Sequence, residues 1–290
     1  MIVHLNGELL PLEQARISPL DRGFLFGDGV YEGLRAIPDF ESNTRIVGLG
    51  LHVNRMQAGL DEAGIAWDAA CLGPASRELL HANNLRDAFV YWQVSRGTPV
   101  AGEPIRSRVP APGSAMKPTV FGYCTPQPPL DSIVNPPVKR AIVCEDIRWR
   151  LGHLKSISLM GNVVTAIRAD RHGGDEAVMV RSGIVTEGLA TNIILAHQEQ
   201  LSTPSLDSVP ILAGITRSIL LRAAPDICEQ TIPVADLETA SEIMLIGTTT
   251  LVTSITHLDG RTINDGSPGP AARRLLKSLL SAIHERRDDW

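Results

Sequence analysis

What the chain lacks narrows the field first. It has no run of basic residues, and its net charge is only −5 over 290 residues. That balance provides no broad electrostatic footprint for nucleic acid, although single phosphate sites remain compatible with it. The four cysteines, Cys71, Cys124, Cys144 and Cys228, are scattered and form no C-x-x-C pair. This argues against a disulfide framework and a structural zinc site. The eight histidines show no H-E-x-x-H arrangement, so no metal-ligand set is read. No apolar stretch approaches membrane-spanning length. The opening MIVHLNGELLPLEQ lacks the basic segment and long apolar core of a secretory signal. The expectation is a soluble cytoplasmic protein that binds no metal, nucleic acid or membrane.

What is present describes an ordinary globular chain, 43% apolar and 20% charged. Its length admits one large domain or two modest ones. The proline-rich segment TPQPPLDSIVNPP reads as a semi-rigid linker. It separates an expected N-terminal α/β domain (1–124) from a C-terminal α/β domain (138–290), with the linker at 125–137. No internal repeat is evident.

In the first half, Ile2–Leu5 alternates and Asn6-Gly7 signals a hairpin. The glycine-dense run DRGFLFGDGVYEGLRAI (21–37) reads as a bent strand with bulges. A helix is expected from His52 through Met56, Leu60 and Ala63, and a second from an Asp68 cap to about Asn83. Residues 88–97 have strand composition. The long Pro/Gly/Ser-rich stretch that follows, containing Arg106 and Arg108, has no pattern of its own; such loops are often functional. Residues 118–124 read as a further strand.

The second half is organised around Lys155. A lone lysine is ordinarily a solvated surface charge. This one is flanked by Leu151, Gly152, Leu154 and Ile157. A lysine held among apolar groups can lose its proton and attack a carbonyl to form a Schiff base. Ile157, Met160, Val164 and Ile167 have helical spacing and are expected in the core. Two strands joined by Ser182-Gly183 then lead to Glu187, and a strand at 192–196 follows. A buried carboxylate near such a lysine is suited to holding the ring nitrogen of pyridoxal phosphate protonated. Arg148 is read either as structural or as a partner that keeps Glu187 ionised. Gly214 precedes an apolar-periodic helix whose first N–H groups can receive phosphate. Strand 241–246 ends in Gly247-Thr248-Thr249-Thr250, Asp259-Gly260 marks another hairpin, and Gly269-Pro270 opens a terminal helix.

These segments together resemble the fold-type IV pyridoxal-phosphate enzymes, and among them D-amino-acid transaminases. The residues that match are Glu145-Asp146-Ile147-Arg148-Trp149, Lys155-Ser156, Asn162-Val163, Val185-Thr186-Glu187-Gly188 and Asn192. The glycine-dense run, His52-x-x-Arg55, YWQVSRGT and Leu212-x-Gly214-Ile215-Thr216-Arg217 match as well. The resemblance implies a two-domain α/β (α+β) fold with pyridoxal 5'-phosphate between the domains, in a homodimer. It implies that Lys155 carries the cofactor and moves the proton, and that Glu187 faces the ring nitrogen. Arg55, Thr248 and the backbone of Ile215 and Thr216 would hold the phosphate, and Leu212 would lie against the ring. Tyr31 and Thr249 would contact substrate. D-selective relatives bind the substrate carboxylate across the dimer interface with an arginine and a histidine; the nearest pair here is Arg106 and Arg108. The family usually has hydroxyl residues after Glu-Gly, whereas Leu189 and Ala190 stand here. The implied reaction is ping-pong transfer of an amino group from an amino acid, D rather than L, to a 2-oxo acid such as 2-oxoglutarate or pyruvate. The alternatives are a branched-chain (L-) aminotransferase, an aminodeoxychorismate lyase that eliminates pyruvate, and a non-catalytic scaffold. Retention of both Lys155 and Glu187 speaks against the last.

Overall fold

A computed structural model describes residues 1–39, 43–111, 113–198 and 200–287. The described chain packs as two compact units, one of Met1–Pro129 with Leu154–Leu159 and the other of Leu130–His153 with residues 160–287.

In the first unit, β1 (Ile2–Leu5) and β2 (Glu8–Pro11) precede a short helix α1 (Arg22–Phe26) and β3 (Gly29–Pro38). Then come β4 (Thr44–Ile46), α2 (Leu49–Ala63), α3 (Leu72–Ala82), β5 (Ala88–Ser95) and β6 (Thr119–Pro126). Among the described residues the six strands form one antiparallel sheet, ordered β2-β1-β6-β5-β3-β4. One face carries Val30, Leu34, Val90, Trp92, Val94 and Val120, packed with Met56 and Leu60 of α2 and Leu72 and Leu79 of α3. Each fully buried side chain of this size contributes about 1.5–3 kcal/mol. Trp92 is completely buried because its indole N–H finds Ser76 Oγ at 2.8 Å. The glycine-dense run is not one bent strand. Asp21 caps α1 by accepting from the Gly23 N–H at 2.7 Å, and β3 begins only at Gly29. The sheet wins over local propensity only where Val30, Leu34 and Ala36 can reach the core.

The second unit contains β7 (Val138–Glu145), α4 (Met160–Arg171), β8 (Glu176–Arg181), β9 (Ile184–Gly188), β10 (Asn192–His197) and β11 (Gln200–Pro204). It continues through α5 (Ile215–Ala223), β12 (Ile227–Gln230), α6 (Asp236–Thr239), β13 (Glu242–Gly247), β14 (Leu251–Leu258), β15 (Arg261–Thr262) and α7 (Pro270–His284). Among the described residues these nine strands form a mixed sheet, β12-β11-β10-β13-β14-β7-β8-β9, with β15 against β14. Asn6-Gly7, Ser182-Gly183 and Asp259-Gly260 all have positive φ at both residues, the turn that suits strand twist. Glu242 caps α7 by accepting from the N–H groups of Ala271 and Ala272 at 2.8 and 2.9 Å.

One core expectation is overturned. α4 begins at Met160, so Ile157 lies outside it, and Met160 and Ile167 are exposed. The helix buries Thr165 and Ala169 instead. Periodicity locates an apolar stripe but not what covers it.

Candidate active site

In the first unit, residues 154–159 run beside β3. The Tyr31 N–H donates to the Lys155 carbonyl at 2.9 Å, and the Ile157 N–H to that of Gly29 at 3.1 Å. This fixes Lys155 over the tyrosine, with its Nζ 4.3 Å from the ring centroid. Lys155 is half-buried, and Leu151 is exposed. The lysine's apolar support is therefore the Tyr31 ring, not the pocket of sequence neighbours that was expected. Tyr31 stacks on Tyr91 at 5.7 Å and Tyr91 on Tyr123 at 5.1 Å, so all three tyrosines of the chain share one sheet face. Burial pushes the Tyr91 phenol up, and the neighbouring Tyr31 and Tyr123 add to this.

Arg55 has a partner that the sequence reading did not anticipate. Glu32, fully buried on β3, accepts from Arg55 Nε at 2.7 Å and Nη2 at 2.8 Å, and lies 2.7 Å from His52 Nδ1. Burial acts to raise the Glu32 carboxyl, but Arg55 and His52 more than offset it and hold the group well below the usual carboxylate range. Burial pushes His52 down. The signal was legible. Glu32 stands at an inward-facing strand position between Val30 and Leu34, where a charge needs partners, and His52-x-x-Arg55 supplies two on one helix face. Arg106 and Arg108 lie in the β5–β6 loop with their guanidinium carbons 5.5 and 5.8 Å from the Phe26 centroid.

In the second unit, Glu187 at the end of β9 is the hub. Arg148 Nη1 donates to it at 2.5 Å, Asn192 Nδ2 at 3.0 Å and the Leu212 N–H at 3.3 Å. Asp146 holds Arg148 from the other side at 2.8–2.9 Å. The Arg148–Glu187 pair is present, and Arg148 acts to keep the carboxylate ionised as one sequence reading has it, but it is not the largest influence on Glu187. Burial raises its carboxyl, and the pull of Arg148 does not cancel that. Arg148 itself is held above its ordinary value; burial works against this, but its bonds to Asp146 and Glu187 prevail.

Asn192 also ties Glu187 to the phosphate-type helix start. Its Nδ2 donates to the Leu212 carbonyl at 2.9 Å, and its side-chain oxygen lies against Gly214, where any Cβ would collide. Gly214 has no side chain to cap α5, so the first-turn N–H groups of Ile215 and Thr216 lie outside the helix's own ladder. Asn192 pairs in register with Ile246, which places the Gly247–Thr250 turn next to the same sheet end. Thr248 is half-buried there and Thr249 is exposed. The Leu189–Ala190 turn keeps its course without hydroxyl groups. Glu176 accepts from the Leu189 N–H at 2.9 Å, and Asn162 donates to its carbonyl at 2.7 Å. Thr191 follows with a buried Oγ1 that has no hydrogen-bond partner. Such an orphan polar atom, a buried high-pKa carboxyl and uncapped helix N–H groups fit an anionic aromatic ligand with a basic ring nitrogen. Sequence reading gave no role to Asp146, Glu176 or Thr191, although Asp146 lies in one of the matching stretches, since short-range patterns do not show who hydrogen-bonds whom.

Among the described residues there is no group of three or more histidine, cysteine, aspartate or glutamate residues arranged to hold a metal, and no helix is long and apolar enough to cross a membrane.

Residues 29–258 match the family described as amino-transferase class IV. The chain is 32% identical over 290 residues to a D-alanine aminotransferase of Bacillus licheniformis, covering 98% of this chain and 97% of that protein. It is likewise 32% identical over 287 residues to one of Staphylococcus aureus (strain N315), covering 97% of each. Among solved structures, the Escherichia coli branched-chain amino acid aminotransferase superposes with a TM-score of 0.86 at 21% identity, covering 97% of this chain and 94% of that one. The branched-chain amino acid aminotransferase of Thermobaculum terrenum, solved in its PLP form, superposes with a TM-score of 0.83 at 21% identity, covering 98% and 94%. The match to the family over most of the chain, with full-length relatives above 30% identity, places this protein among the class IV aminotransferases.

Proposed function

We propose that this aminotransferase uses pyridoxal 5'-phosphate to move the amino group of a D-amino acid to a 2-oxo acid such as 2-oxoglutarate or pyruvate, in two ping-pong halves. The bound cofactor supplies an electron sink that makes the amino acid's Cα–H acidic. Lys155 would anchor it and, as a free amine, would take and hold the proton from the substrate Cα. Glu187, with its carboxyl raised by burial, keeps a proton available at the ring nitrogen, and Arg148 and Asn192 hold Glu187 in place. Arg55, Thr248 and the Ile215 and Thr216 N–H groups take the phosphate, and Leu212 takes the ring face. Tyr31 and Thr249 contact substrate, and Arg106 and Arg108 take its carboxylate. Residues 125–137 link two domains, which the change of compact unit between Pro129 and Leu130 supports. The protein is a homodimer in the cytoplasm.

The observation that carries the D-assignment is the near-full-length likeness to proteins named D-alanine aminotransferase. A branched-chain L-specific enzyme is the second reading, favoured by the structural likeness to enzymes of that name. One experiment separates them. The holoenzyme is mixed with D-alanine or L-leucine, and loss of the visible cofactor band is followed, with 2-oxoglutarate as acceptor. Conversion by D-alanine is expected; conversion by L-leucine alone sinks the D-assignment. Pyruvate release from aminodeoxychorismate selects the lyase instead. Lys155→Ala abolishes turnover in every case.

A further inference from the structure

Among its described residues the loop between β5 and β6 has no strand or helix to hold Arg106 and Arg108, yet the buried Arg22 side chain reaches it. Arg22, the first residue of α1, is 4% exposed. Its Nη1 donates to the Ser107 carbonyl at 2.6 Å and its Nη2 to the Arg108 carbonyl at 2.9 Å. Its Nε donates to Asp28 at 2.7 Å, and Arg96 donates to the same carboxylate at 2.8 and 2.9 Å. The backbone closes the knot. The Arg22 N–H donates to the Gly97 carbonyl at 2.9 Å, and the Arg96 N–H to that of Asp28 at 3.1 Å. Gly97, with φ +95°, packs its Cα against the Lys117 carbonyl and so pinches the two stems of the loop together. Phe26, on the same short helix, has three guanidinium groups about its ring; that of Arg22 is the nearest, at 4.9 Å.

We infer that Arg22 is the positioning residue for the loop arginines and thereby sets the amino-acid KM. This rests on the assignment of the substrate carboxylate to Arg106 and Arg108. Arg22 grips the carbonyls on consecutive residues, so it fixes the peptide on either side of the Arg108 Cα and with it the direction in which that side chain leaves the loop. A planar fork is needed to serve Asp28 and two carbonyls at once, and lysine has no such fork. The cost of burying the charge is met by Asp28 and the ring of Phe26. Arg22 itself touches no substrate.

The test uses holoenzyme with Arg22→Lys and Arg22→Met, and two readouts. Native-state trypsin cleavage after Arg106 and Arg108 reports the anchor directly. It should accelerate about fivefold or more, because cleavage follows local opening. Steady-state kinetics should show the donor KM raised about tenfold with kcat within about threefold, the pattern of lost ground-state binding. Unchanged cleavage in both variants overturns the anchor. Faster cleavage with an unchanged KM overturns the positioning role, provided Arg106→Met or Arg108→Met raises KM. If neither of those two does, the carboxylate assignment falls, and the positioning role falls with it. Should both Arg22 variants lose their cofactor band, Phe26→Leu serves in their place. It keeps the groups that Arg22 hydrogen-bonds and removes the ring that Arg22 shares with the two loop guanidiniums. A KM rise of about threefold is then expected; no rise overturns the inference.

Discussion

Glu187 is one residue asked to satisfy two opposed demands. At neutral pH, burial makes its charge costly, while Arg148 and Asn192 are placed to receive it. A carboxyl whose folded-state value is raised favours the folded state below its ordinary value, about 4.3, and that benefit is lost as pH rises through the folded value. Glu187→Gln therefore separates function from stability. Turnover should fall about 100-fold or more, since the ring nitrogen loses its charged partner. The cofactor-free protein should melt no lower at pH 8, because Asp146 still pairs with Arg148. Thermal denaturation at pH 5 and pH 8 checks this. A loss of about 3 kcal/mol or more at pH 8, the range for breaking a buried pair, would show that Glu187 is net stabilising instead.

At the scale of elements, the joint between β3 and α2 is a buried ion cluster in an otherwise apolar interface. The Glu32 carboxyl is depressed and the His52 imidazole is depressed, so both groups bind protons more readily in the unfolded chain. Stability therefore falls as pH falls, from about 6.5 downward for the histidine and from about 4.3 downward for the carboxylate. Urea unfolding at pH 7, 5.5 and 4 should show this slope. Glu32→Gln should flatten its lower limb and cost about 3–5 kcal/mol at pH 7 by taking away the buried carboxylate that Arg55 and His52 share. An acid slope identical to that of the parent would remove Glu32 from the account. The same scale shows why α1 escaped sequence reading. Five residues have too little periodicity to show, and the helix exists because Asp21 caps it and Arg22 finds one acceptor in nearby Asp28 and two far along the chain, at Ser107 and Arg108.

At the scale of the molecule, six exposed apolar side chains of the second unit lie in two neighbouring stretches of chain. Met160 is 74%, Val163 49% and Ile167 46% exposed along one side of α4, and Ile147, Trp149 and Leu151 are exposed in the segment just before Lys155. A stripe of this kind is characteristic of a surface that another protein covers, and the proposed occupant is a second copy of the chain. Light scattering after gel filtration should give the mass of two chains, and Met160→Glu with Val163→Asp should shift it toward one. A doubly substituted protein that stays a dimer would place the interface elsewhere.

The family, the fold class, the hairpins and the segments that carry the candidate site were legible in the linear order of residues, because they depend on spacing and local chemistry. A strand's alternation, an Asn-Gly turn and a glycine before a helix each act within a few residues. What only the tertiary structure decided is where charges settle. Glu32 was the hidden partner of Arg55, and Arg22 the anchor of a loop 85 residues away. Burial outweighed Arg148 at Glu187, and the stripe on α4 faced outward instead of into the core. Each of these depends on desolvation and on contacts between residues distant in the chain. Those quantities exist only once the backbone has brought the groups together and shed the water around them.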